Sequence, residues 1–155
     1  DTPDAALAEV AKFEWLIQEV LVAADPAERF DFALLAAVPE AQHVTLRFGF
    51  HPAIRLQRAR LPLFRLWQEH QQGGTVTGIP LESAARHEEL LIRRTGEGVE
   101  LQRLDPAEFR FLDAQLRGET LESAIARAAA DDDSLDAGKL LAHWISAGVI
   151  TGLAA

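Results

Sequence analysis

The sequence predicts an α+β fold, with a small sheet-plus-helix lobe over residues 1–72 and a hairpin-plus-three-helices lobe over residues 79–155. Three observations carry this expectation. Apolar residues recur every three or four positions at the start of the chain and again after residue 105, which is the period of amphipathic helices. Around residues 44–57 and 88–104 the period falls to two, that of half-buried strands. Proline and glycine stand at the junctions between these stretches.

The elements follow in order. Thr2-Pro3-Asp4 reads as a helix start, with a capping hydroxyl, proline at the first helical position and an acid in the first turn. Ala6, Val10, Phe13, Ile17, Val20 and Ala24 then form one stripe, which Asp25-Pro26 ends. A short helical stretch, Arg29 to Ala37, precedes Pro39. Val44, Leu46, Phe48 and Phe50 alternate with polar residues and glycine as in a strand, His51-Pro52 interrupts it, and Ile54 and Leu56 resume it. Pro62 opens a helix over Leu63 to His70, apolar at Leu63, Leu66 and Trp67. Gln71 through Gly78 reads as a loop and a junction between lobes.

In the second lobe, Glu88 to Arg94, a turn at Thr95-Gly96-Glu97-Gly98, and Val99 to Leu104 read as a hairpin. Asp105-Pro106-Ala107-Glu108 has the form of a capping box. Phe109, Leu112 and Leu116 give the next helix its stripe, and Gly118 stops it. Thr120 caps a second helix with Leu121, Ala124, Ile125 and Ala128 inward. Asp131-Asp132-Asp133 breaks it, and Ser134 opens a third with Leu140, Leu141, Trp144 and Ile145. Gly148 closes that helix, and Val149-Ile150 tucks in behind. A hairpin followed by three short helices is the winged-helix arrangement.

Charge narrows the function. The formal net charge is −9 over 155 residues. Residues 1–52 carry nine acids and three bases, and residues 73–155 carry fourteen and eight. Between them, Arg55, Arg58, Arg60 and Arg65 are opposed by Glu69 alone. This basic island, with Trp67 beside it, is the expected docking surface for a partner protein, because interface cores favour Trp and Arg. The bland alternative is a solvated face with Trp67 in the protein's own core. No apolar run reaches the roughly 18–20 residues that span a bilayer, so no membrane is expected. The absence of cysteine excludes disulfides, thiolate zinc sites and a thiol nucleophile, and fits a cytoplasmic home.

Catalytic patterns are missing. His43, His51, His70, His87 and His143 are scattered, and no pair stands four apart on an expected helix. The three consecutive aspartates lack the alternating oxygen spacing and distal glutamate of a calcium loop, and read as a solvated turn. Glu88 and Glu89 lie on opposite faces of a strand and cannot share a proton. No nucleophile turn or phosphate loop is present. The expectation is a non-enzyme with no metal and no cofactor of its own.

Several stretches are familiar together: Phe13-Glu14-Trp15, Ala23-Ala24-Asp25, Leu46-Arg47-Phe48 with His51-Pro52, and Pro62 through Trp67. To these are added Leu91-Ile92-Arg93, Leu104 with Glu108, and Gly118-Glu119-Thr120. In this order they resemble the C-terminal part of a bacterial family named for a DNA-binding domain. Its members include accessory subunits, like the methanobactin biosynthesis C protein, of iron enzymes that modify cysteines in ribosomal peptides. The last 65 residues or so also look like the PqqD-like peptide-recognition winged helix. Two departures stand out. Larger members carry an additional helical domain ahead of this region, and Ile92 stands where many relatives place a tryptophan.

The resemblance implies a non-catalytic accessory subunit in a heterodimer with an iron enzyme, the iron lying in the partner and the precursor peptide held here. A peptide could add to the hairpin beside Val99, Glu100, Leu101, Gln102 and Arg103, with Lys139 and His143 of the third helix lining the groove. Arg55, Arg58, Arg65 and Trp67 would meet the partner enzyme. The alternative is a winged-helix DNA-binding transcriptional regulator. From Thr120 to Ala147 five acids oppose two bases, a charge that repels phosphate, so nucleic acid is not the expected partner.

Overall fold

The computed structural model describes residues 3–73 and 87–154. Thr2 and the 74–78 part of the expected junction lie outside them. The class is α+β, as expected. Contacts gather into two compact units that interleave along the chain: Asp1–Ala23 with Arg55–Leu104, and Ala24–Ile54 with Asp105–Ala155. These units replace the consecutive lobes 1–72 and 79–155. The hairpin and the three helices occur in the expected chain order, but the hairpin clusters with the first helix, and the three helices with residues 24–54. The reason is that apolar faces find partners by complementarity, not by nearness along the chain.

The first unit is a sheet under two helices. Helix α1 spans Pro3–Val22 and α3 spans Leu63–Gln71, while strands β2 (Ile54–Ala59), β3 (Glu88–Thr95) and β4 (Gly98–Arg103) run in the order β2-β3-β4. β3 is central and buried on both faces, with Leu90, Leu91 and Ile92 all at 0 % exposure. Side chains alternate across a sheet, so the residues that reach the helices define one face. On that face Arg55 pairs with Glu19 at 3.2 Å, and Gln57 Nε2 donates to the Glu9 carbonyl. Arg94 donates to the carbonyls of Val20, Leu21 and Ala23. That guanidinium therefore caps the C-terminus of α1, where carbonyls lack helical partners.

Other contacts in this unit close the strand and helix ends. The Glu9 carboxylate accepts from the amides of Arg60 and Leu61, fixing the turn after β2. The Glu88 carboxylate accepts from Phe64 N in the first turn of α3, whose own N-cap, Pro62, makes no side-chain cap bond. Glu88 and Glu89 do serve opposite faces, since Glu89 pairs with Arg58 on the far side. Gln57, interleaved between Leu56 and Arg58 on β2, is 1 % exposed.

The second unit packs α4 (Pro106–Leu116), α5 (Leu121–Ala129) and α6 (Ala137–Ser146) with α2 (Phe32–Ala36) and a two-stranded sheet. That sheet pairs β1 (Phe48–Phe50) with β5 (Ile150–Leu153), antiparallel and bulged after Gly49. The expected strand from Val44 is shorter than read, because residues 40–45 form a 3-10 turn. There Thr45 Oγ1 donates to the Gln42 carbonyl, and the His43 ring meets the Val38 carbonyl at 2.9 Å. Val44 is accordingly exposed.

The helix ends match the residues that make them. Gly118, at φ +82, and Gly148, at φ +75, each follow a helix whose last turn closes with paired bonds, Glu119 N to Ala114 O and Val149 N to Trp144 O. Thr120 caps α5 by accepting from Ser123 N. Asp136, rather than Ser134, caps α6 by accepting from Lys139 N, while Ser134 bonds to Asp132 in the preceding turn. The capping box at Asp105 is not closed, since its side chain accepts no cap bond although Pro106 opens α4 as expected. Phe111 and Trp144, both at 0 %, are the largest core side chains, and Leu116, expected inward, is 38 % exposed. Among the described residues no helix is long and apolar enough to cross a membrane.

Candidate functional site

Strand β4 closes the three-stranded sheet on one side. Its register with β3 decides which backbone groups face outward. Leu104 N donates to Glu89 O, and Arg103 stands opposite Leu90. In an antiparallel pair the bonded and unbonded positions alternate. Gln102 and Glu100 therefore exchange their bonds with β3, and Val99, Leu101 and Arg103 point their N–H and C=O groups away from it. Among the described residues no backbone group pairs with that outer edge.

The side chains of the same three residues project onto the face shared with α3. Leu101 is buried and Val99 half-buried. Arg103 lays its guanidinium over the Phe64 ring, 4.5 Å from the centroid. Between this edge and α3 runs a groove of about 380 Å³, walled by Val99 and Leu101 on one side and by Phe64, Trp67, Gln68 and Gln71 on the other. Glu97, in the hairpin turn, stands at one end, and its amide is held by Thr95 Oγ1. The groove thus combines outward-facing backbone groups, an apolar floor, side-chain amides and the Glu97 carboxylate, with Arg103 stacked on the ring of its Phe64 wall.

A second hollow of about 790 Å³ lies between α1 and α3, walled by Val10, Phe13, Ile17, Leu63, Leu66 and Trp67. Phe13 and Trp67 meet edge to face at 6.0 Å. Trp67 lines both hollows, so it is neither a buried core residue nor a free surface one.

The residues expected to hold a peptide divide between the units. Val99 and Leu101 line the groove, and Arg103 stacks on its Phe64 wall. Gln102 faces the other side of the sheet, and Glu100, which also borders the groove, pairs on that side with Arg93 at 3.3 Å. Lys139 and His143 belong to α6 in the other unit, so the helix beside β4 within its own unit is α3. The residues missed by sequence reasoning are Phe64, Gln68 and Gln71. Only proximity to Trp67 on the same helix could have hinted at them.

The basic island also reads differently in three dimensions. Arg55 is paired with Glu19, Arg58 with Glu89 at 2.6 Å, and Arg65 with Glu69 at 2.8 Å. Its positive charge is met within the chain by acids from α1, β3 and α3. Arg65 is the most open of these three, with a side chain 71 % exposed.

Elsewhere, Glu108 on α4 has its carboxyl pushed above the usual range, chiefly by burial and secondarily by Asp105, against a smaller opposing pull from His143. His143 packs edge to face on Trp144, 4.6 Å between ring centres. Asp132 is held below its usual range by hydrogen bonds from the Ser134 hydroxyl and amide. Among the described residues no three histidine or carboxylate side chains gather as a metal site. No family model matches the chain, and no curated protein does.

Proposed function

We propose that this chain is a non-catalytic accessory subunit that holds an extended peptide by strand addition at β4. The observation that carries this reading is the β4 edge beside α3, unpaired among the described residues. Three alternate residues present backbone donors and acceptors there, and the groove can take side chains at alternate positions. Strand addition draws affinity from backbone bonds and selectivity from such pockets.

The sequence resemblance supplies the biology. The peptide is a ribosomal precursor, and the partner is an iron enzyme acting on its cysteines in a bacterial cytoplasm. The iron resides in that partner, in a heterodimer with this chain. Holding peptide and enzyme together raises their effective concentration without chemistry from this subunit. The partner docks through the α1–α3 side of the first unit, where an apolar hollow continues past Trp67 and Trp15 is 66 % exposed. Arg65 contributes at its rim, and Arg55 and Arg58 are support beneath.

The test is a titration of isotopically labelled chain with the leader of the precursor peptide encoded beside its gene. Backbone amides of Val99, Leu101 and Arg103, with those of Phe64 to Gln71, should shift together. Shifts confined to α6, with β4 silent, would overturn the reading. A salt-sensitive complex with random duplex DNA through α6 would instead favour the regulator.

A further inference from the structure

We infer that the β4 groove selects peptides by charge order: an acidic residue first, apolar residues at the third and fifth positions, and a basic residue seventh. This rests on the strand-addition reading and specifies the ligand class of that site.

Arg103 and Glu97 are the two poles. The Arg103 guanidinium lies on the Phe64 ring and has no carboxylate partner among the described residues. In an acidic protein where Arg55, Arg58 and Arg65 of the island are paired with carboxylates, that is a cation left for a ligand. Stacking on the ring holds it in place without neutralising it. At the hairpin end the Glu97 carboxylate likewise has no partner among the described residues, only its amide being bonded. Glu97 in the turn and Arg103 at the far end of β4 are six residues apart, at most about 20 Å at roughly 3.3 Å per residue of strand.

The strand between the poles sets the middle of the pattern. Antiparallel addition is the more stable geometry per residue, and directly opposed residues share a face. A peptide running antiparallel to β4 meets Arg103 with its first residue, Leu101 with its third and Val99 with its fifth. The seventh lies by Glu97. The third and fifth side chains enter the groove against Phe64 and Trp67, and Gln68 and Gln71 offer amides to polar groups along the way. Even-numbered residues point away from the groove and are unselected.

Three blocked heptapeptides test this on the unaltered chain. One has Glu first, Leu third, Val fifth and Lys seventh, with Thr between; one exchanges Glu and Lys; one has Gln at both ends. Acetylation and amidation remove the terminal charges. Amide shifts of Val99, Leu101 and Arg103 give site and affinity together. The first peptide should bind about tenfold more tightly than the exchanged one, since two exposed attractions become two repulsions, with the Gln peptide between. R103K should keep this order, and R103E should reverse it at the first position.

Equal affinity for all three peptides, with β4 amides shifting, would overturn the charge order and leave strand addition standing. Tightest binding of the exchanged peptide would overturn the antiparallel direction. Silence of the β4 amides with every peptide would overturn the peptide-binding reading itself. So would strong exchange protection of those amides in the peptide-free chain, which would mean that the edge is already occupied.

Discussion

Arg58 and Arg103 sit on opposite faces of one sheet, on its two outer strands. Arg58 reaches 2.6 Å from the Glu89 carboxylate, and Glu89 is only 7 % exposed. Arg103 rests on an aromatic ring at the end of an edge that no backbone group pairs among the described residues. The first arginine lies in the densest run of basic residues in the sequence, and the second is isolated between Gln102 and Leu104. The isolated one is the better candidate for meeting a ligand. A cluster of arginines along the chain therefore says little about available positive charge, because carboxylates from distant elements decide how much of it stays unmatched. A buried carboxylate needs its cation, whereas a cation over a ring needs nothing further.

The two arginines contribute unequally to stability, and mutation separates them. Arg58→Ala leaves Glu89 enclosed without that ion pair and should cost about 2 kcal/mol in chemical denaturation. A loss below about 0.5 kcal/mol would mean that Glu89 finds water or another donor, and the contrast with Arg103 would fail. For the same reason Arg58→Glu is a poor probe of partner docking, since it sets two carboxylates against each other. Arg65→Glu, in an exposed pair one helical turn from Glu69, is the cleaner choice. Arg103→Gln should change stability by about 0.5 kcal/mol or less, the scale of an exposed cation–ring contact. A larger loss would make Arg103 a structural residue like Arg58.

The smallest expected effect concerns a carboxylate in the other unit. Glu108 has a raised pKa in the folded state because burial and Asp105 disfavour its charge. Its ionised form is therefore destabilising above the folded pKa, and the penalty is relieved as pH falls and the folded chain takes up the proton first. Glu108→Gln should raise the thermal midpoint slightly at pH 7, with the gain over the parent fading toward pH 4. Thermal melts at both pH values check the sign. A gain that grows on acidification would show that the Glu108 carboxylate is stabilised by its surroundings.

Sequence and structure agree where bonds are local. Gly118 and Gly148 end their helices because a residue without Cβ can take positive φ, and that requirement is written at one position. Thr120 caps within three residues, and the hairpin closes across Thr95 to Gly98. The alternation of Val99, Leu101 and Arg103 against Glu100 and Gln102 assigned the faces of β4 correctly before any partner was known. What only the tertiary structure decided spans long stretches of chain. Phe48 pairs with Leu153, Glu88 caps the first turn of α3, and Glu9 holds the turn after β2. Such contacts leave no periodic trace, since each needs only one suitable side chain or backbone group arriving from elsewhere. The wall of the groove is of this kind. Apolar spacing identified α3 and α6 alike as helices with one buried stripe, but spacing cannot say which sheet a stripe will cover. That choice is settled by the packing of whole faces, and within the first unit it put Phe64 and Trp67 beside β4.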